Sequence, residues 1–147
     1  MKLNNECIRD VLAYLIENLT INIDETNAEF NKIGTREVMN KLCSKYSKED
    51  IWYSVFTMFE TNYITVETNM LNNNVLSRQL IVNVTYNGHQ FYELTKPEDV
   101  WRKTQSIIKK VGGGTLEFVK EVAHDVAVAS AKAAVTVSFG QQPTATP

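Results

Sequence analysis

The residues that decide the fold run from Ser47 to Leu94 and open with the sequence SKEDIWY at positions 47–53. Ser47 followed three residues later by Asp50 resembles a capping box, which satisfies the free backbone N–H groups at the start of a helix. The residues that follow repeat with the helical period and predict a core helix. The face predicted to point inward contains Ile51, Trp52, Val55, Phe56, Met58 and Phe59.

The opposite face of this helix has three carboxylates and neither Lys nor Arg. Its residues are Glu49, Asp50, Tyr53, Ser54, Thr57, Glu60 and Thr61. In helix-turn-helix proteins that bind DNA, the corresponding helix enters the major groove and presents hydrogen-bond donors to phosphates and base edges. Carboxylates at this place would repel the phosphates. We therefore expect this face to bind a protein, and the candidate partner-binding residues are Glu49, Asp50, Tyr53, Thr57 and Glu60.

A two-stranded ribbon is predicted to follow the core helix, because polar and apolar residues alternate over Tyr63–Met70 and again over Ser77–Tyr86. The run Asn72–Asn74 predicts the turn, since asparagine tolerates left-handed backbone angles. Arg78, near the tip, is the only basic residue of the ribbon. On the first strand, one predicted face consists of Ile64, Val66 and Met70, and the opposite face of Tyr63, Thr65, Glu67 and Asn69. On the second strand, one predicted face consists of Leu80, Val82, Val84 and Tyr86.

A short helix is predicted after the ribbon, opened by Thr85 and the four residues that follow it. Gly88 lies one turn into this helix, where a missing side chain would let helix and sheet approach closely. His89 is interpreted as a hydrogen-bonded structural side chain.

Two helices are predicted before the core helix. Asn4 or Asn5 caps the first, from about Glu6 to Leu19, and Thr35 caps the second, which continues through Tyr46. Residues 20–34 have no clear period and predict a loop that contains a short strand. Because the second helix leads directly into the core helix, the two form a helix-turn-helix unit.

Two additional helices are predicted at the C-terminal end. Residues 95–98, Thr-Lys-Pro-Glu, resemble a second capping box and open a helix to Val111. Three glycines at 112–114 end it and predict a hinge, after which an amphipathic helix spans 115–134 with Thr115 as its cap. A polar tail at 135–147 is predicted to be disordered. The predicted fold is α+β, with a winged helix (a helix-turn-helix plus a two-stranded wing) in domain 1–111.

The composition is that of an ordinary globular chain: 147 residues, 44% hydrophobic, 22% charged, net charge -2. This charge gives no global attraction to nucleic acid or to an anionic membrane. We expect neither a signal peptide nor a membrane span, and hence the bacterial cytoplasm. Cys7 and Cys43 occupy apolar helical positions, which predicts reduced, buried thiols, with a disulfide as the alternative. No spacing suggests zinc, and no cofactor is expected.

Four motifs occur in order along the chain: Ile8-Arg9-Asp10-Val11-Leu12, Asp50-Ile51-Trp52-Tyr53, Gly88-His89-Gln90-Phe91 and Val100-Trp101-Arg102-Lys103. Together they resemble an uncharacterised bacterial and phage family of unknown function, over roughly residues 1–123. The resemblance implies a winged-helix-like fold and a phage or prophage origin, and it implies no activity. Such relatives tend to have His in place of Ser54 and Gly in place of Asn62, so no helix histidine is implied as a shared functional group.

Three classes of function follow from these patterns. The favoured one is a non-enzymatic interaction module that binds a host or phage protein. The alternative is a DNA-binding transcriptional regulator that uses the wing and a basic helix, with candidate nucleic-acid-binding residues Arg78, Arg102, Lys103, Lys109 and Lys110. The alternative without a function is that these residues simply form a solvent-exposed charged face. An enzyme is not expected, because no nucleophile has a recognisable setting and the glycines lack the Lys and Ser/Thr of a phosphate loop.

The last helix also predicts self-association. Its Ala- and Val-rich face permits close backbone approach, and the preceding glycines would leave it free to swing. A homodimer is predicted through Phe118, Val119, Val122 and Val126. The alternative is that this face covers the protein's own domain.

Overall fold

The computed structural model describes residues 2–67 and 79–140. Within them the elements are α1 (Asn5–Asn18), β1 (Thr20–Ile23), β2 (Ala28–Asn31), β3 (Ile33–Gly34), α2 (Thr35–Leu42), α3 (Lys48–Glu60), β4 (Ile64–Glu67), β5 (Leu80–Val84), α4 (Tyr86–Thr95), α5 (Glu98–Val111) and α6 (Leu116–Gly140). Helices combined with small antiparallel sheets confirm the predicted α+β class. The chain divides into two compact units, Met1–Tyr92 and Glu93–Pro147.

Helix α1 begins where the sequence predicts, because the Asn4 side chain caps it. The Asn4 Oδ1 atom accepts a hydrogen bond from the Cys7 backbone N–H at 3.0 Å. The buried face of α1 consists of Cys7, Ile8, Val11, Leu12 and Leu15, and it packs mainly on α3. This pair of helices forms the centre of the first unit's core.

Residues 20–34 contain more strand than predicted. β1 and β2 form a hairpin with Thr20 opposite Asn31, and all eight of their residues are exposed. The turn is held by Asp24, whose Oδ1 atom accepts from the backbone N–H groups of Thr26 (2.8 Å) and Asn27 (2.7 Å). Each strand is only four residues long and buries neither face, so its alternation is too short and too polar to stand out in the sequence.

The second helix is shorter than predicted and has a different cap. Gly34 occupies the N-cap position of α2 and Thr35 is its first, fully buried residue. The Thr35 hydroxyl and the Thr35 backbone N–H both donate hydrogen bonds to the Gln79 carbonyl oxygen (3.3 and 3.1 Å). These bonds connect the start of α2 to the residue before β5. The helix ends at Leu42, and a turn leads to Tyr46.

The predicted ribbon is present as β4 and β5, which pair antiparallel. β3 adds to the other edge of β5, which gives a three-stranded sheet in the order β3–β5–β4. The predicted turn at Asn72–Asn74 and the residue Arg78 lie outside the described residues.

A β-bulge corrects the predicted faces of the ribbon. Thr65 is opposite Asn83 whereas Val66 is opposite Ile81, so β5 has one extra residue, Val82. The extra residue reverses the alternation along β5, and Ile81 is therefore fully buried. The other corrections are that Leu80 is 39% exposed, Tyr86 is 76% exposed and Tyr63 is buried against Phe91, with ring centroids 5.4 Å apart.

Helix α4 begins at Tyr86, directly after Thr85, which was predicted to open it. The Thr85 hydroxyl accepts from the Gly88 backbone N–H (3.2 Å) and donates to the Asn62 carbonyl oxygen (2.6 Å). A Cβ atom at Gly88 would lie 2.7 Å from Val84 Cγ1 and would overlap the Tyr63 carbonyl oxygen. The glycine is therefore required for the close approach of α4 to the sheet.

The second unit consists mainly of α5 packed on α6. Pro97, and not Thr95, is the N-cap of α5, because Thr95 is buried as the last residue of α4. Gly112 ends α5 with a left-handed φ of 85°, and the Thr115 hydroxyl caps α6 by accepting from the Phe118 N–H at 3.2 Å. The glycines predicted as a hinge thus lie inside this unit.

Helix α6 is longer than predicted, since it continues past residue 134 to Gly140. The apolar period weakens after Ala133, and Val135, Thr136 and Val137 have low intrinsic helix propensity, so no signal in the sequence predicts this extension. Residues 141–147 of the predicted tail lie outside the described residues. Among the described helices, none combines the length and the apolar character that crossing a bilayer requires.

Candidate protein-interaction surface

The buried face of α3 is narrower than the sequence predicts. It consists of Ile51, Ser54, Val55 and Met58, at the spacing i, i+3, i+4, i+7. Ser54 was expected on the outer face, but it is 1% exposed. Its hydroxyl donates to the Asp50 carbonyl oxygen at 2.7 Å and also hydrogen-bonds with the Cys7 thiol, so its burial leaves no polar group unsatisfied.

Two aromatic residues expected in the core lie at the surface instead. Phe56 is 37% exposed and Phe59 is 43% exposed. Because α3 buries only one narrow arc, large apolar side chains that flank it remain in contact with solvent. The outer face of α3 is therefore more aromatic than the sequence analysis predicts.

One continuous stripe on the outer face of α3 consists of the exposed residues Glu49, Phe56 and Glu60 and the half-buried Tyr53. Glu49, Tyr53, Phe56 and Glu60 follow one another at intervals of four, three and four residues, the spacing of a single helix face. The stripe is about 16 Å long at 1.5 Å per residue. We call these four residues, with Phe59 beside them, the α3 stripe. It has a carboxylate at each end and aromatic rings between them.

The two candidate residues of α3 that lie outside the stripe are Asp50 and Thr57. The Asp50 carboxylate accepts a hydrogen bond from Asn4 Nδ2 at 3.1 Å, which links α3 to the start of α1. Thr57 and Trp52 are half-buried. The Trp52 indole N–H is buried and has no acceptor among the described residues, so packing alone holds this ring.

A polar cluster fixes the turn before α3. The Tyr46 hydroxyl donates to Asp10 Oδ2 at 2.5 Å, and Lys45 Nζ lies 2.7 Å from the same oxygen. Burial raises the pKa of Tyr46 above its ordinary value of 10.0, and the Asp10 carboxylate raises it further. The phenol therefore stays protonated and acts as a structural donor.

The two cysteines differ in environment. Cys7 is fully buried, and burial raises the pKa of its thiol from 9.0 to about 11. Near neutral pH this thiol is protonated, and the nucleophilic form is scarce. Cys43, predicted to be buried, is exposed because it follows the last residue of α2. Both are free thiols.

The candidate nucleic-acid-binding residues that the structure describes lie on α5. Arg102, Lys103, Lys109 and Lys110 are all exposed. They fall on two sides of the outer face of the helix, with Arg102 and Lys109 on one side and Lys103 and Lys110 on the other. Only the second pair lines a groove between α5 and α6.

The face of α6 predicted to bind a second copy is covered by the chain itself. Val119 is fully buried, Val122 and Val126 are each 9% exposed, and Phe118 is half-buried. These residues belong to the side of α6 that packs in this protein, as the alternative interpretation held. The homodimer stays a prediction, and a dimer through this face would require those side chains to be released.

A second apolar region was not found from the sequence. The apolar side chains of the hairpin, Ile21, Ile23 and Phe30, are 53%, 72% and 39% exposed. Ile21 and Phe30 also line a cavity of about 350 Å³ together with residues of α1 and β5, and His89 lies at this cavity. The alternation of Ile21 with Ile23 was the available signal, but two residues are too few to establish a period. No group of three or more His, Cys, Asp and Glu side chains suited to a metal occurs in residues 2–67 and 79–140.

The fold and the stripe define a small α+β protein with an exposed acidic and aromatic helix face. The chain belongs to the family described as "Hypothetical protein (DUF2513)", which matches residues 2–115. That match covers the first unit, α5 and the glycines after it. No curated protein and no solved structure matches the chain.

Proposed function

We propose that the chain is a non-enzymatic interaction module, in which a winged helix presents the α3 stripe to a partner protein. The observation that supports this most directly is the exposure of Phe56 and Phe59 between Glu49 and Glu60. Exposed aromatic residues are costly in water, and aromatic residues, phenylalanine among them, are enriched in the cores of protein interfaces. The partner surface suited to this stripe has apolar pockets flanked by Lys or Arg.

The order of the elements supports a winged helix. α1, β3, α2, α3, β4 and β5 follow one another with a sheet order of β3–β5–β4, so α2 and α3 form the helix pair and β4 with β5 forms the wing. The β1–β2 hairpin is an insertion between α1 and β3. In this arrangement α3 is the helix that would enter a DNA groove.

The charges of the α3 stripe oppose that use, since Glu49 and Glu60 are exposed and the one cation of α3, Lys48, lies outside the stripe. Two unit charges 4 Å apart interact by about 4 kcal/mol at an effective dielectric constant of 20. Carboxylates at both ends of the stripe would meet phosphates with repulsion of this order. A protein with basic residues around an apolar pocket would meet attraction instead, which favours polypeptide over duplex as the partner.

The origin and location of the protein form part of the same proposal. The sequence motifs resemble a family found in phages and prophages, which supports a host or phage protein as the partner and the bacterial cytoplasm as the compartment.

Affinity purification from native or infected cells tests the proposal. The bait proteins are the wild type, Phe56→Ala with Phe59→Ala, and Glu49→Lys with Glu60→Lys, each with and without nuclease. We expect the wild type to retain a protein after nuclease treatment and both double variants to lose it.

The matched control makes the same two Glu→Lys substitutions at positions of the first unit outside α3. Glu17 and Glu25 are exposed and lie outside α3, so Glu17→Lys with Glu25→Lys should retain the partner. Retention by all variants, or loss of the partner on nuclease treatment, would contradict the proposal.

A DNA-binding regulator is the second candidate, because four exposed cations lie on α5. Counterion release gives a slope of log K against log salt of about -0.9 per phosphate, so four such contacts predict about -3.6. Duplex binding with this slope would support the regulator. Absence of duplex binding at low salt would remove it.

A further inference from the structure

The second unit contains a groove of about 400 Å³ between α5 and α6. Its lining includes Lys103, Ile107 and Lys110 from α5, and Val126, Ala129 and Ala133 from α6. The groove therefore combines an apolar floor with two cations, which is a different chemistry from that of the α3 stripe.

The floor is suited to a helix. Ile107 is 39% exposed, so an apolar side chain is already present at the groove without cover. Ala129 and Ala133 are one turn apart on α6, and small side chains at this spacing let a third helix come within the 8–10 Å of ordinary helix packing. Amphipathic helices commonly bind in grooves of this kind, with apolar anchors one turn apart.

The α6 wall extends beyond the groove. Across residues 127–138 the only charged residue is Lys132, and Val128, Val135 and Val137 are 37%, 52% and 56% exposed. A partner helix aligned with α6 would cover part of this surface.

The cations determine the charge of the occupant. Lys103 and Lys110 are two helical turns apart, about 10.5 Å along α5. Carboxylates seven residues apart on a facing helix would match both ammonium groups. Arg102 and Lys109 are about 100° away around α5 and do not line the groove, so the groove presents two of the four cations.

We propose that the α5–α6 groove binds an acidic amphipathic helix of a partner protein. The apolar face of that helix packs on Ile107, Ala129 and Ala133, and carboxylates seven residues apart pair with Lys103 and Lys110. The groove shares no residue with the α3 stripe, so the two proposals are tested by different variants.

The test uses the full chain and a fluorescein-labelled synthetic peptide. The peptide is a helix with a Leu/Ala stripe and two Glu residues seven apart beside it, and a second peptide has Lys at those two positions. We expect Lys103→Glu with Lys110→Glu to weaken binding of the acidic peptide by about tenfold in fluorescence anisotropy, which is about 1.4 kcal/mol. The same variant should gain affinity for the Lys peptide.

The matched control, Arg102→Glu with Lys109→Glu, makes the same charge change on the same helix outside the groove. We expect it to retain affinity for the acidic peptide within about threefold, since exposed charges that make no direct pair contribute little. Ala129→Trp should fill the groove and abolish binding, whereas Ala131→Trp, at an exposed position that does not line the groove, should not. Circular dichroism verifies that each variant is folded.

Several results would overturn the proposal. They are no binding of the acidic peptide, equal losses in the two charge-reversal variants, and unchanged binding by Ala129→Trp. Competition by a DNA duplex that depends on all four cations would assign the surface to nucleic acid. Sedimentation that shows self-association of the wild type, lost in Lys103→Glu with Lys110→Glu, would assign it to a second copy.

Discussion

Gly88→Ala tests the packing of α4 on the sheet. The added Cβ would overlap the Tyr63 carbonyl oxygen and lie 2.7 Å from Val84 Cγ1. That carbonyl cannot retreat freely, because it accepts from the Thr85 N–H at 2.9 Å while the Tyr63 N–H donates to Met58 at 2.7 Å. To remove the overlap, α4 must move away from the sheet by roughly an ångström, which is the amount by which the Cβ–oxygen distance falls below an ordinary packing contact.

The expected change in the free energy of unfolding is the sum of two destabilising contributions and one stabilising contribution. Overpacking in a core costs about 1–3 kcal/mol, and weakening of the Thr85–Tyr63 hydrogen bond costs about 1 kcal/mol. Alanine recovers about 1 kcal/mol relative to glycine inside a helix. The net destabilisation is about 2 kcal/mol, which lowers the Tm of a chain of this size by roughly 4–8 °C.

Urea unfolding followed by circular dichroism and tryptophan fluorescence measures the change. The matched control is Gly34→Ala, because a Cβ there meets only Leu80 Cδ2 at an ordinary 3.8 Å. We expect the control to lose less than about 1 kcal/mol, the scale of an N-cap change. If Gly88→Ala were as stable as the wild type, or if both variants lost the same free energy, steric contact at Gly88 would not be the reason for this glycine.

Three further predictions concern the thiols and the first helix cap. Cys43 should react with a thiol reagent in the native protein while Cys7 reacts only on unfolding; equal rates would contradict the burial of Cys7. The folded Cys7 thiol keeps its proton up to about pH 11 whereas the unfolded one loses it near pH 9, so the free energy of unfolding should fall by up to about 1.4 kcal/mol per pH unit between them. Cys7→Ala should lack this component in urea titrations, and an unchanged slope would assign it elsewhere. Asn4→Ala should cost about 1–2 kcal/mol in urea unfolding, because Asn4 both caps α1 and donates to Asp50, and a loss near zero would show that solvent replaces both bonds.

Helix starts were predictable where a side chain has one obvious backbone partner. Asn4, Ser47 and Thr115 cap helices as the sequence indicates. Thr35 and Thr95 have the same chemistry, but Thr35 is buried as the first residue of α2 and Thr95 is buried as the last residue of α4. Local sequence does not distinguish these two roles, because the partner of a buried threonine such as Thr35 is the distant Gln79.

The stripe was only half predictable. The carboxylates Glu49 and Glu60 were placed outward from charge alone. Phe56 and Phe59 were placed inward because hydrophobicity normally indicates burial, and Ser54 was placed outward for the opposite reason. The partners of Ser54, the Asp50 carbonyl and Cys7, explain why a hydroxyl occupies the buried arc. Only one of the two, Asp50, is close in sequence.

The ribbon of β4 and β5 shows a similar limit. Its pairing was predictable from alternation, but the extra residue at Val82 changes the phase of β5 midway. Asn62, between α3 and β4, adopts a left-handed φ of 62°, a backbone requirement that period and composition do not express.

The β1–β2 hairpin has a practical consequence for protein engineering. Thr20 and Asn31 are opposite each other at its base, joined by a side-chain hydrogen bond of 2.8 Å, so the chain leaves and re-enters the fold at nearly one point. Antiparallel neighbours are only about 5 Å apart. A tight turn could therefore replace the whole β1–β2 hairpin. Alternatively, a reporter domain with adjacent termini could be inserted at the tip of the hairpin.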